Sequence, residues 1–167
     1  MNKFRLALVS TGGTIEKTYD ELSGLLSNDV SMLDFLLTSI VTDIEISRIR
    51  LMNKDSRNMS VKDHKLIADT VEVNSEDHDA IVIVHGTDKL VETGNEIYNR
   101  QNFSVPVILT GAMRPFQLKK TDATQNITES LLAAKILSPG VYCVMHNKVL
   151  SFPGVVKDYT LGTFVKE

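Results

Sequence analysis

Two stretches of this chain, AIVIVH at 80–85 and VPVILT at 105–110, run almost unbroken through apolar, mostly β-branched residues. A strand with one wet face alternates apolar and polar side chains, so a short run without alternation reads as a strand buried on both faces. FRLALV (4–9) has the same character, and EISRIRL (45–51) and VYCVM (141–145) complete a set of five. Strands of this kind belong to parallel sheets, whose consecutive members need a crossover between them. The intervening segments supply it. SMLDFLLTSI carries apolar residues at 32, 33, 36, 37 and 40, which is helical spacing. SVKDHKLIADTVEV opens with Ser60 and Asp63 spaced as a capping box. DKLVETGNEIYNRQ and DATQNITESLLAAKIL are two further helices, the last with Asp122 placed to cap it. The order β-α-β-α-β-α-β-α-β predicts a layered α/β fold, Rossmann-like or flavodoxin-like, with helices on both faces of a parallel sheet. The final stretch from Asn147 contains Pro153 and Gly154 and reads as a hairpin or an excursion from the sheet. Residues 1–167 are expected to form a single domain, since no repeat or low-complexity linker divides them.

Several function classes are disfavoured. Net charge is −3, and the pair Lys119–Lys120 is too small for a basic patch, so nucleic acid is not an expected partner. Cys143 is the single cysteine and lies inside an apolar run, where a buried structural thiol is expected. His64, His78, His85 and His146 show no metal-ligand spacing, so no metal is expected. No apolar stretch approaches the roughly 18 residues of a membrane span, and no leader pattern stands at the N-terminus. A cytoplasmic protein without membrane attachment is the expectation.

In open α/β sheets ligands bind outside the carboxyl ends of the strands. That rule selects Ser10–Thr14, Asp55–Asn58, His85–Asp88 and Thr110–Ala112. Gly12 and Gly13 suit a tight turn and also let a ligand approach Thr14. Neither a GxGxxG nor a GxxxxGK pattern followed by Ser or Thr is present, so the loop is no obvious phosphate cradle. Gly86, Thr87 and Asp88 repeat the design; Asp88 is equally well read as an acidic residue of a helix start. A threonine hydroxyl is a weak nucleophile until a base takes its proton. His85 is one such base, unless it points into the core. Lys157, in GVVKDYT, is the preferred one, although a lysine there is more commonly a surface residue.

Taken together, TGGTI, DSRNM, HGTD and TGAMRP, each following a strand, with VMHNKVL and VVKD later, resemble the bacterial-type L-asparaginase family in order over nearly the whole chain. The resemblance implies hydrolysis of the side-chain amide of L-asparagine to L-aspartate and ammonia, with no metal or organic cofactor. It implies Thr14 as nucleophile, with Thr87, Asp88 and Lys157 as a second catalytic group and Tyr19 as a loop residue closing over the substrate. Ser56 would hold the substrate α-carboxylate, Asp88 its α-ammonium, and the Ala112 carbonyl its amide nitrogen. The turns at Gly13 and Gly86 would expose backbone N–H groups to the oxyanion. L-Glutamine is a related substrate, and asparaginase-like domains also serve as ammonia-producing subunits of transamidating complexes. A binding module without turnover is the non-enzymatic alternative. The family's usual second, smaller domain is expected to be absent, which motivates a homo-oligomer. An acid partner for Tyr19 would then come from Glu16 or Glu21. Arg57 stands where many members have an uncharged residue, beside the substrate.

Overall fold

The computed structural model describes residues 3–27, 31–101 and 103–167. In chain order, β1 is Arg5–Gly12, β2 Thr18–Asp20, β3 Leu25–Ser27, α1 Met32–Thr38 and β4 Glu45–Lys54. There follow α2 (Val61–Asn74), β5 (Ala80–Val84), α3 (Leu90–Arg100), β6 (Pro106–Thr110) and α4 (Ala123–Ile136). The chain then forms β7 (Gly140–Met145), β8 (Lys148–Ser151), β9 (Val155–Asp158) and β10 (Thr163–Lys166). Six strands make one sheet in the order β4-β1-β5-β6-β7-β8. All neighbours in it pair parallel except β8, which turns back antiparallel on β7.

The apolar runs form the central strands because both of their faces are covered. Alternate side chains divide between two cores. Ala7, Val9, Ile81, Ile83, Val107 and Leu109 meet α2 and α3 through Ile67, Val71, Leu90 and Ile97. Leu6, Leu8, Val82, Val84 and Ile108 meet α1 and α4 through Leu33, Leu36, Ile127 and Leu131. Cys143 is buried on β7, and loss of hydration pushes its thiol up to about 12. The edge strand β4 alternates more, and its Arg48 and Arg50 both reach Asp34 on α1. Those bonds overcome the opposing effect of burial and pull Asp34 down to about 2.

The elements beyond β7 leave the βα pattern, as their composition suggests: β8 closes a hairpin, and β9 with β10 forms a separate two-stranded sheet. The short hairpin β2–β3 stands apart as well. Two strand ends run further than the apolar pattern indicates. Gly12 still pairs with Lys54, after an irregularity beyond the Ser10–Arg50 pair, so both strands continue through polar residues. Backbone pairing, not hydrophobicity, defines those ends. Ser60 N–H donates to Asp63 Oδ2 at 2.8 Å, the reciprocal half of the expected box.

With the sheet numbered by its parallel strands alone, the order is 2-1-3-4-5. The chain leaves β1 for one side and returns on the other, so the loops after β1 and β5 diverge at adjoining strand ends. A topological switch point of this kind opens the crevice in which such sheets bind ligands.

Candidate active site

The switch point is assembled from main chain packed on main chain. Gly12 and Gly13 have φ of +99° and +88°, a region that side chains other than glycine's rarely adopt. A Cβ on Gly13 would lie 2.6 Å from the Gly86 nitrogen, and one on Gly86 would lie 2.5 Å from Ser56 Oγ. A Cβ on Gly111 would strike the His85 carbonyl oxygen. The loops after β1, β5 and β6 therefore meet backbone to backbone, and the loop after β4 meets Gly86 through the Ser56 side chain. Thr14 and Thr87, each following one of the touching glycines, come out on adjoining turns.

Four threonines lie at these strand ends, and the structure divides them. Thr11 Oγ1 donates to Val84 O at 3.0 Å and Thr110 Oγ1 to Val144 O at 2.8 Å, both fully buried. Their hydroxyls stitch neighbouring strands. Thr87 is different: Lys157 Nζ donates to its Oγ1 at 2.9 Å and to Asp88 Oδ1 at 2.6 Å. Lys157 arrives on β9, its side chain only 11% exposed, with Nζ 4.9 Å from the Tyr159 ring centroid. The separate β9–β10 sheet thus delivers the lysine over the end of β5. Asp88 precedes α3 rather than opening it, because α3 starts at Leu90 and the Asp88 carboxylate is committed to Lys157.

His85 is not the base. It is 1% exposed, its Nδ1 lies 2.7 Å from Gly86 O, and its Nε2 lies 2.7 Å from Thr93 Oγ1. Thr93 Oγ1 in turn lies 2.7 Å from His64 Nδ1. A carbonyl only accepts, so His85 Nδ1 carries a hydrogen and Nε2 accepts from the Thr93 hydroxyl; that hydroxyl then accepts from His64. The chain of bonds has one direction, and its last link orients the Gly86 peptide beneath Thr87. Burial holds His85 down at about 4 and His64 below its ordinary value.

Ser56 begins the turn after β4 and is 1% exposed. Asp55 caps that turn and gathers cations. Arg57 binds it through Nε at 3.1 Å and Nη2 at 2.9 Å, and Lys17 Nζ reaches it at 2.9 Å. The Arg57 bonds and then Lys17 hold the Asp55 carboxyl far below the usual range, against the effect of burial. Arg57 Nε also stands 3.7 Å from Asp88 Oδ2. The strand-end rule selects Asp55, but sequence reasoning misses Lys17 and its bond to Asp55, because nothing local links positions 17 and 55.

The turn after β6 is clamped from behind. Asp122 accepts from Met113 N–H at 3.0 Å and Arg114 N–H at 2.9 Å, and His146 Nε2 lies 2.7 Å from it. Asp122 occupies the residue before α4 but makes no cap bond, so the expected capping role gives way to this clamp. Burial would raise its pKa; the Met113 N–H, His146 and the Arg114 N–H together lower it. Asn126 Nδ2 takes the Gly111 carbonyl at 3.0 Å. In a trans peptide the C=O points opposite to the N–H. With Met113 N–H aimed at Asp122, the Ala112 carbonyl faces the other way.

Three expectations change. Gly13 N–H is spent on Lys54 O at 3.1 Å, so it does not point to a ligand. Glu16 is 7% exposed, accepts from Leu33 N–H at the start of α1 at 3.4 Å, and has its pKa raised by burial. It serves α1 and is no partner for Tyr19. Tyr19 lies on β2, 53% exposed, with its hydroxyl beside Gly24 at the turn of its own hairpin. The structure brings Thr14, Ser56, Arg57, Gly86, Thr87, Asp88 and Lys157 to one crevice; Tyr19 and Glu21 remain on the hairpin.

No helix among the described residues is long and apolar enough to cross a membrane. The family model described as asparaginase, N-terminal, matches residues 5–162. An L-asparaginase of Thermococcus kodakarensis is 31% identical over 95% of this chain and 49% of its own length. A glutamyl-tRNA(Gln) amidotransferase component from Methanococcus maripaludis is 31% identical over 86% of this chain and 35% of its own. The solved thermostable L-asparaginase of Thermococcus kodakarensis superposes with a TM-score of 0.88 at 28% identity, covering 98% of this chain and 51% of that one. The chain thus spans about half the length of that asparaginase and about a third of the amidotransferase component.

Proposed function

The chain belongs to the asparaginase family, and from that premise we propose that it hydrolyses the side-chain amide of L-asparagine by threonine chemistry. The observation that carries the reading is Lys157 Nζ, 2.9 Å from the Thr87 hydroxyl and 2.6 Å from Asp88. In this proposal the Thr14 oxygen attacks the amide carbon, forming a C–O bond as its proton passes to the departing nitrogen. The C–N bond breaks and ammonia leaves. Water, polarised by Thr87 and Lys157, then cleaves the ester and returns the hydroxyl to Thr14. With Gly13 N–H committed, the oxyanion falls to the N–H groups of Thr14 and Thr87, which stand at the starts of their turns. Ser56 receives the carboxylate, and the outward Ala112 carbonyl receives the amide nitrogen. Tyr19 takes part only when its hairpin moves toward Thr14.

Ammonia release from L-asparagine and L-glutamine tests this, with Thr14→Ala, Thr87→Val and Lys157→Met beside the unaltered protein. Loss of about 100-fold or more in kcat for each variant is expected. Activity that survives Thr14→Ala moves the nucleophile to Thr87, and no release from either amide overturns the reading. The similarity to an amidotransferase component supports a second reading, a protein that acts within a complex. Activity that appears only with a partner protein present would favour it. The proposed homo-oligomer is checked by light scattering.

A further inference from the structure

We infer that the site also hydrolyses monoamides of dicarboxylic acids that lack an α-ammonium group, and that Arg57 makes it favour them over the zwitterionic amino acid. The inference rests on the amidohydrolase reading for its chemistry, and on the charges at the crevice for its selectivity.

Two carboxylates stand at the strand ends around Thr87. Neither is open. Asp88 gives Oδ1 to Lys157 at 2.6 Å and faces Arg57 Nε with Oδ2 at 3.7 Å. Asp55 is held by Arg57 on both oxygens, at 3.1 and 2.9 Å, and by Lys17 at 2.9 Å. Three cations thus oppose two carboxylates, leaving an excess of one positive charge. The neighbouring acids do not correct it. Asp63 is bound to Lys54 Nζ at 2.6 Å and to Ser60, and Glu16 is turned toward Leu33 on α1.

A zwitterionic α-amino acid brings one carboxylate and one ammonium, and the ammonium needs an acceptor of its own. Here it would compete with Arg57 and Lys157 for Asp88 while being repelled by the excess charge. A monoamide such as succinamate presents the same carboxylate and the same amide, with hydrogen in place of the ammonium. Its single negative charge matches the excess. Arg57 is 67% exposed, which leaves its free guanidinium edge able to meet a carboxylate from the crevice. The chemistry balances as before: water and succinamate give succinate and ammonium.

The test pairs binding with turnover. Calorimetry with the two products, succinate and L-aspartate, measures recognition without relying on catalysis. Succinate is expected to bind about tenfold tighter to the unaltered protein. Arg57→Gln should reduce that ratio at least about fivefold, and Arg57→Lys should restore part of it. Ammonia release from succinamate and L-asparagine should show the same order in kcat/KM. L-Aspartate binding as tightly as succinate, a ratio unchanged in Arg57→Gln, or no binding of either, overturns the inference. Turnover of L-asparagine with L-aspartate preferred would leave the proposed function standing and remove this one. Arg57-dependent succinate binding without any turnover would remove the proposed function and the hydrolysis inferred here, and leave only the charge preference of the crevice.

Discussion

The buried line His64–Thr93–His85 makes a prediction that can be worked through to a magnitude. Protonating His85 would place a hydrogen on Nε2, which now accepts from Thr93. Thr93 would have to turn its own hydrogen elsewhere while His64 still donates to the same oxygen. The folded state therefore keeps His85 neutral down to about 4, against 6.5 for the free side chain. Between those values the unfolded chain binds more protons, so stability falls as pH falls through that window. At about 1.36 kcal/mol per pH unit the full gap bounds the effect at about 3 kcal/mol, and between pH 7 and 4.5 roughly 2 kcal/mol of it is lost.

Urea unfolding at half-unit intervals from pH 7 to 4.5, on the unaltered protein and on His85→Gln, measures it. That range lies above the window in which Asp34 and Asp63, both held near 2, lose their contribution. Subtracting the two curves removes the shares of His64 and Glu16. The unaltered protein should lose about 2 kcal/mol more than the variant across the range. Parallel curves would refute the reasoning. If the variant does not fold, the imidazole Cε1 proton of His85 in the unaltered protein answers by NMR, and a midpoint near the ordinary 6.5 refutes it as well.

Two other outcomes are expected beside those already stated for Thr14, Thr87, Lys157 and Arg57. Gly86→Ala should cost about 1–3 kcal/mol of stability in thermal or urea unfolding, because the added methyl collides with Ser56 Oγ at 2.5 Å. Asp122→Ala should cost about 2–4 kcal/mol in the same assay, since the Met113 and Arg114 N–H groups lose their acceptor. It should also raise KM more than it lowers kcat, through the freed Ala112 turn.

The sheet was legible because both of its faces are covered: runs such as Ala80–Val84 carry that condition in their own composition. The helices were legible from the spacing of residues such as Leu33 and Leu36, which face one core. The strand ends that gather at the switch point followed from the same pattern. What stayed hidden is the use to which each polar residue is put. Thr11 and Thr14 stand three residues apart in the sequence, yet the Thr11 hydroxyl ties β1 to β5 while Thr14 lies past the strand end, a difference set by strand pairing 73 residues away. Asp122 precedes a helix as a cap does, but two N–H groups from the preceding turn reach its carboxylate first. Resemblance sets Tyr19 over the crevice, while the structure lays it along its own hairpin. Lys17 and Asp55 meet only because their loops cross, which no local signal records.

The stacked glycine turns also decide where this crevice can be redesigned. Its floor is backbone against backbone, from Gly13 on Gly86 to Gly111 beneath the His85 carbonyl, and a floor without side chains offers nothing to exchange. Libraries directed at those positions would return chiefly destabilised protein. The alterable wall is made of long, partly exposed side chains such as Arg57 and Lys17, together with the hairpin that bears Tyr19. A change of substrate in this scaffold, whether by selection in a cell or at the bench, is therefore expected to be written in the charges of its rim, with the catalytic floor inherited intact.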